Sequence, residues 1–114
     1  MGDLAQRYEA LKAQLQAEGL FDSSRKRPLP EWPRTVGVVT SLSGAVLHDI
    51  RRVIARRWPL ARVIVSACKV QGQGAERTIV RALRRIGRWT DPEDGRAVDV
   101  VIVARGGGSL EDLW

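Results

Sequence analysis

The sequence predicts an α/β fold: a three-stranded parallel sheet in the order 2-1-3, with crossover helices and an N-terminal amphipathic helix. Three observations predict it. Three short runs rich in β-branched residues, TVGVVT, RVIVSACKV and AVDVVIVA, are nearly continuous in apolar character, as strands covered on both faces must be. Single stretches of helical periodicity separate them, and strand-helix-strand succession gives parallel pairing through right-handed crossovers. The loops that follow the first and third runs both carry residues suited to phosphate. If they form one site, their strands are neighbours, which places strand 1 in the middle and the cleft at the switch point between strands 1 and 3.

In chain order, the apolar residues Leu4, Tyr8, Leu11 and Leu15 mark a helix from Asp3 to about Ala17, with Gly19 placed to end it. Residues Asp22 to Pro33 (DSSRKRPLPEWP) hold three prolines and a basic cluster, which predicts an irregular connection laid over a surface. Strand 1 then runs from Thr35 to Thr40. The first crossover helix spans Ser43 to about Trp58, with Val46, Leu47, Ile50, Val53 and Ile54 on one face. Strand 2 covers Arg62 to Val70, and the second helix covers Ala75 to Trp89, with Ile79, Leu83 and Ile86 inward. Strand 3 covers Ala97 to Ala104. The chain divides into a helical lead-in over 1–33 and an α/β unit over 34–114. Ser109 is placed to cap a fourth element opened by Leu110, Glu111 and Asp112, so a chain stopping at Trp114 reads as a fragment of a longer domain.

With 114 residues, 44% of them hydrophobic, one compact core is expected. The 19 Lys and Arg against 13 Asp and Glu leave a formal charge of +6. Guanidinium forks match phosphate oxygens, which points to polyanions, although net charge alone also fits an inert basic surface. Cys68 is the single cysteine; it excludes an internal disulfide and, lying in an apolar run, predicts a buried, unreactive thiol. No apolar stretch reaches the ~20 residues of a membrane helix, and the polar start carries neither a signal core nor, with Gln6, a myristoylation site. The expectation is a soluble, cytoplasmic protein.

The sharpest chemical feature is VARGGGSLEDLW after the third strand. Gly106, Gly107 and Gly108 clear side chains from the backbone N–H groups, and the helix after Ser109 adds its positive end, as a phosphate-binding turn requires. Arg105 stands where it can grip a phosphoryl oxygen or stabilise developing negative charge. A plain turn with a surface arginine accounts for the same residues, and Glu111 and Asp112 already complement the helix end. In TSLSGAVLHDI, Thr40, Ser41 and Ser43 can cap the first crossover helix or bind phosphate, and Gly44 lets the backbone approach closely. Asp49 falls at the edge of that helix's buried stripe. There it can hold a metal, orient a water or act as a base, or simply pair with Arg52. His48 lies opposite the stripe and reads as solvated. Arg77, Arg81, Arg84 and Arg88, with Arg85 beside them, form a basic stripe that suits either a phosphate backbone or bulk water. Trp32, Trp58, Trp89 and Trp114 sit at element ends, for base stacking or for packing. One carboxylate is too little to specify a divalent metal, so the sequence assigns no cofactor.

Taken together, TSLSGAVLHDI, VQGQGA and RGGGSLEDLW, in this order and spacing, resemble the large subunit of exonuclease VII. The lead-in YEALKAQLQAEGLFD and the basic, proline-containing segment after it are similar to the approach to that family's catalytic domain. The resemblance implies hydrolysis of single-stranded DNA from both ends into oligonucleotides, with Asp49 as the acidic catalytic residue and Arg105 as the arginine opening the triple glycine. Ala104 stands where many members have glycine. SACK replaces the tyrosine-proline-threonine common before VQG. The resemblance further implies a downstream Gly-His-Glu-Thr-Asp motif that completes the catalytic site, an N-terminal OB-like DNA-binding domain and a helical region that binds small subunits, none of which lies in these residues; the fragment alone is expected to be inactive. Two other readings remain at this level, a non-catalytic phosphate or nucleotide-binding α/β module and a structural partner-binding domain.

Overall fold

The computed structural model describes residues 2–106. In chain order they form helix α1 (Gly2–Ala17), strand β1 (Thr35–Thr40), helix α2 (Val46–Arg57), strand β2 (Arg62–Ala67), helix α3 (Ala75–Arg88) and strand β3 (Val100–Val103). The sheet order is β2-β1-β3, and both pairings of β1 are parallel. The predicted order therefore holds. Register runs from Thr35 opposite Arg62 to Thr40 opposite Ala67 on one side, and from Val36 opposite Val100 to Val39 opposite Val103 on the other.

All six residues of β1 are buried, because the strand is flanked on both edges and covered on both faces. Val36 and Val38 pack with Leu47, Ile50 and Ile54 of α2 on one face. On the other, Val39 packs with Ile79, Ala82 and Ile86 of α3. The crossover from β1 to β2 and the one from β2 to β3 run in opposite directions along the sheet and must lie on opposite faces if both are right-handed, so the strand order dictates this sandwich. Gly37 makes it close: a Cβ there would lie 2.6 Å from Ile86 Cδ1 and 3.4 Å from Val101 Cγ2. Ser66, buried in β2, donates to the Ala82 carbonyl at 3.0 Å and ties the edge strand to α3.

The amino-terminal end of the sheet is closed by charge pairing. Asp99 accepts from the backbone amides of Arg34 and Thr35 at 2.8 and 2.9 Å. Those bonds, Thr35 first, hold its carboxyl below the usual aspartate value, against partial burial. Asp91, only 6% exposed, takes the Glu93 amide at 2.8 Å and the Arg62 guanidinium at 2.6 Å. It is likewise held low, chiefly by the amide. The connection into β1 is pinned by Trp58, whose indole N–H donates to Pro33 O at 2.7 Å while its ring lies 5.0 Å from that of Trp32. The two rings pack on each other, with Trp32 still 67% exposed.

Five expectations need correction. Helix α1 forms, but it buries none of its residues, and Tyr8 and Leu11 of its apolar stripe are more than half exposed. The proline-rich connection is not wholly irregular, since Ser23–Arg25 make one turn of 3-10 helix before the prolines forbid more. Strand β2 stops at Ala67 rather than Val70, because β1 offers no partner beyond Thr40 and Thr78 Oγ1 takes over the Lys69 backbone, accepting from its amide at 2.9 Å and donating to its carbonyl at 3.0 Å. Strand β3 starts at Val100 rather than Ala97, since Ala97 makes an antiparallel bridge with Thr90. Helix α2 starts at Val46, three residues late, after Gly44 turns the chain at φ +93°. No helix among the described residues is long and apolar enough to cross a membrane.

Candidate functional site at the carboxyl end of the sheet

Parallel strands deliver their following loops to one edge, so the segments after β1, β2 and β3 converge beyond the carboxyl ends of the strands. There they enclose a cleft of about 620 Å³. Its lining includes Ser41, Ser43, Gly44 and Asp49 from the β1–α2 segment, Lys69 and Gln71 from the loop after β2, and Gly106 after β3. The candidate loops thus meet, as the strand order requires. Thr40 Oγ1 donates to the Ala104 carbonyl at 2.8 Å, joining them directly. Gly106 is pressed on the start of α2, where a Cβ would lie 3.2 Å from Val46 Cγ2. Gly107, Gly108 and Ser109, with the expected helix after them, fall outside the described residues.

The serines do not cap α2. Its N-cap position is Ala45, with no side-chain cap bond. Ser41 Oγ instead lies 2.8 Å from Ser43 Oγ and accepts from the Ser43 amide at 3.2 Å, a local turn that replaces the cap. Both hydroxyls line the cleft. Neither is spent on the helix.

Asp49 both borders the cleft and meets Arg52. It lines the cleft, and its Oδ1 lies 3.5 Å from an Arg52 guanidinium nitrogen, with the carboxylate side chain 56% exposed. A long, solvated pair of this kind adds little to stability and leaves the carboxylate open to solvent. Arg105 sits at the margin of the cleft rather than among its lining residues. Its Nε donates to Gly106 O at 3.1 Å and a terminal nitrogen donates to Gln71 Oε1 at 3.2 Å. Gln71 and Gly106 both line the cleft, so the guanidinium is held against its wall by neutral partners.

Lys69 and Gln71 were not among the candidates read from the sequence. The signal was there: VQGQG is a glycine-bearing loop at the carboxyl end of a parallel strand, where ligands of open α/β sheets bind. His48 is exposed, as expected. Cys68 is only half-buried; burial raises its thiol pKa, partly opposed by Arg85, in keeping with an unreactive group. Among the described residues no group of three or more His, Cys, Asp or Glu is placed to hold a metal.

A family model for exonuclease VII, large subunit, matches residues 20–114. The chain is 51% identical, over its whole length, to the exodeoxyribonuclease 7 large subunit of Geobacillus kaustophilus (strain HTA426), and covers 24% of that protein. It is 47% identical to that of Legionella pneumophila (strain Paris), with 24% covered. For that of Lachnoclostridium phytofermentans (strain ATCC 700394 / DSM 18823 / ISDg) the figures are 45% and 27%. The chain thus spans about a quarter of the length of the curated relatives it matches.

Proposed function

We propose, from the premise that this chain belongs to the exonuclease VII large-subunit family, that it supplies part of a site hydrolysing phosphodiester bonds of single-stranded DNA from both ends into oligonucleotides. One observation supports this most: Asp49 and the segment carrying Arg105, far apart in sequence, border one cleft at the switch point of the sheet. A binding module needs the glycine-bearing loops alone; an open carboxylate facing the same space favours hydrolysis.

In this reading Asp49 orients the attacking water or takes its proton. Arg105, kept in place by Gln71, stabilises the charge that gathers on the phosphoryl oxygens. Ser41, Ser43 and the backbone at Gly44 and Gly106 to Ser109 hold the phosphate, with Lys69 as an added cation. The described residues supply no second acid or base, and the reading assigns those to segments beyond this chain, along with small-subunit binding and further DNA contacts. Residues 34–114 form the catalytic unit and 1–33 its lead-in, in a cytoplasmic enzyme; the chain alone is inactive.

Asp49→Asn in the full-length protein tests the assignment. Cleavage of a single-stranded oligonucleotide should fall about 10²–10⁴-fold, the range for losing a positioned acid or base. Turnover at the wild-type rate would move the chemistry elsewhere.

A further inference from the structure

The arginine stripe of α3 plays no part in the cleft just described, yet the surface joins the two. A second groove of about 500 Å³ opens beside the first and shares Ser41, Ser43 and Lys69 with it. Past that saddle the groove runs between the end of β2 and α3, where Thr78, Arg81 and Arg85 line it. Its three charged lining residues are all cations. Arg81 then borders a third, smaller depression of about 260 Å³ that reaches Arg77 and Arg84 and has one acid, Glu76, in its lining.

None of Lys69, Arg77, Arg81, Arg84 and Arg85 is in any of the ion pairs among the described residues. Arg85 makes one bond, from a terminal nitrogen to Ala67 O at 2.8 Å, which fixes its guanidinium on the groove wall and leaves other N–H donors available. Arg77, Arg81 and Arg85 follow at i, i+4 spacing, where like charges repel along a helix. A polyanion laid in the groove offsets that repulsion.

We propose that this second groove carries the single strand of DNA to or from the cleft, its successive phosphates held by Lys69, Arg85 and Arg81. The assignment rests on the functional reading above for the nature of the polyanion. Two features select this occupant: the lining charge is of one sign, and the groove is continuous with the site through residues common to both.

The test uses full-length protein and measures the salt dependence of oligothymidylate binding by fluorescence anisotropy. Removing two phosphate contacts from a single strand makes the slope of log K against log salt shallower by about 1.4. Arg81→Gln/Arg85→Gln should show that change, and Arg81→Lys/Arg85→Lys should restore the slope. Arg56→Gln/Arg57→Gln, at the far end of α2, removes equal charge and should leave the slope as in wild type. Equal slopes for the groove variant and wild type, or equal losses in the groove and α2 variants, would overturn the proposal. The underlying reading fails separately. An unchanged slope with an inactive Asp49→Asn protein sinks the groove and keeps the site, whereas a shallower slope with an active Asp49→Asn protein keeps the groove and relocates the chemistry.

Discussion

The two ends of this sheet hold charged residues in opposite ways. At the amino-terminal end each aspartate is committed. Asp99 takes two backbone amides, Asp91 takes an amide and Arg62, and Asp94 takes the Arg96 amide at 2.9 Å and Arg34 at 3.0 Å. At the carboxyl-terminal end the charges are left underused. Asp49 has a 3.5 Å contact with a solvated Arg52, Arg105 has neutral partners, and Lys69 is in none of the ion pairs among the described residues. Charges that close a fold are matched within it, because an unpaired one costs desolvation without return. Charges awaiting a ligand are left for the ligand to match. On the proposed function, the contrast separates structural from functional residues more clearly than residue type does.

Both ends hang from β1, so damage to its middle should weaken them together. Gly37→Val in the full-length protein drives a branched side chain into Ile86, which is 2% exposed, and should cost about 1–3 kcal/mol by overpacking. Hydrogen-exchange protection of the β1 amides is the readout. A loss confined to one end would show that the ends are not coupled through the strand. At the carboxyl end alone, Gln71→Ala should lower kcat about fivefold, the roughly 1 kcal/mol of a typical net hydrogen bond, while β1 protection stays unchanged. An unchanged kcat would mean that Arg105 needs no orienting partner.

The architecture was legible in the sequence because its signals are local. β1 and the start of α3 fall where β-branched runs and helical periodicity put them, and the demand that two loops share a site fixed the strand order. Three details were not legible because they depend on tertiary partners. The end of β2 is set by the length of β1, the start of β3 by the Thr90 bridge, and the exposure of α1 by the absence of any element packed on its stripe among the described residues. For the site, the helical stripe placed Asp49 at its edge, where it lines the cleft, while the catalytic role proposed for it came from the family resemblance. Lys69 and Gln71 were missed because their loop reads as the tail of a strand until β2 is seen to end at Ala67.

The central claim, that the amino-terminal end stabilises and the carboxyl-terminal end reacts, is tested most directly by one paired measurement on the full-length protein. Asp49→Asn and Asp99→Asn are compared for cleavage of a single-stranded oligonucleotide and for β1 hydrogen exchange between pH 7 and pH 3. Asp99 is held below its ordinary value of 3.8, so its stabilising contribution is present above that value and is lost as the pH falls through the lowered one. Asp99→Asn should therefore reduce β1 protection at pH 7, approach wild type as the solution is acidified, and leave cleavage by the folded protein intact. Asp49→Asn should lower cleavage about 10²–10⁴-fold and leave protection unchanged at every pH. An Asp49→Asn protein that cleaves at the wild-type rate, or an Asp99→Asn protein that loses cleavage with its β1 protection intact, would contradict this division of the sheet.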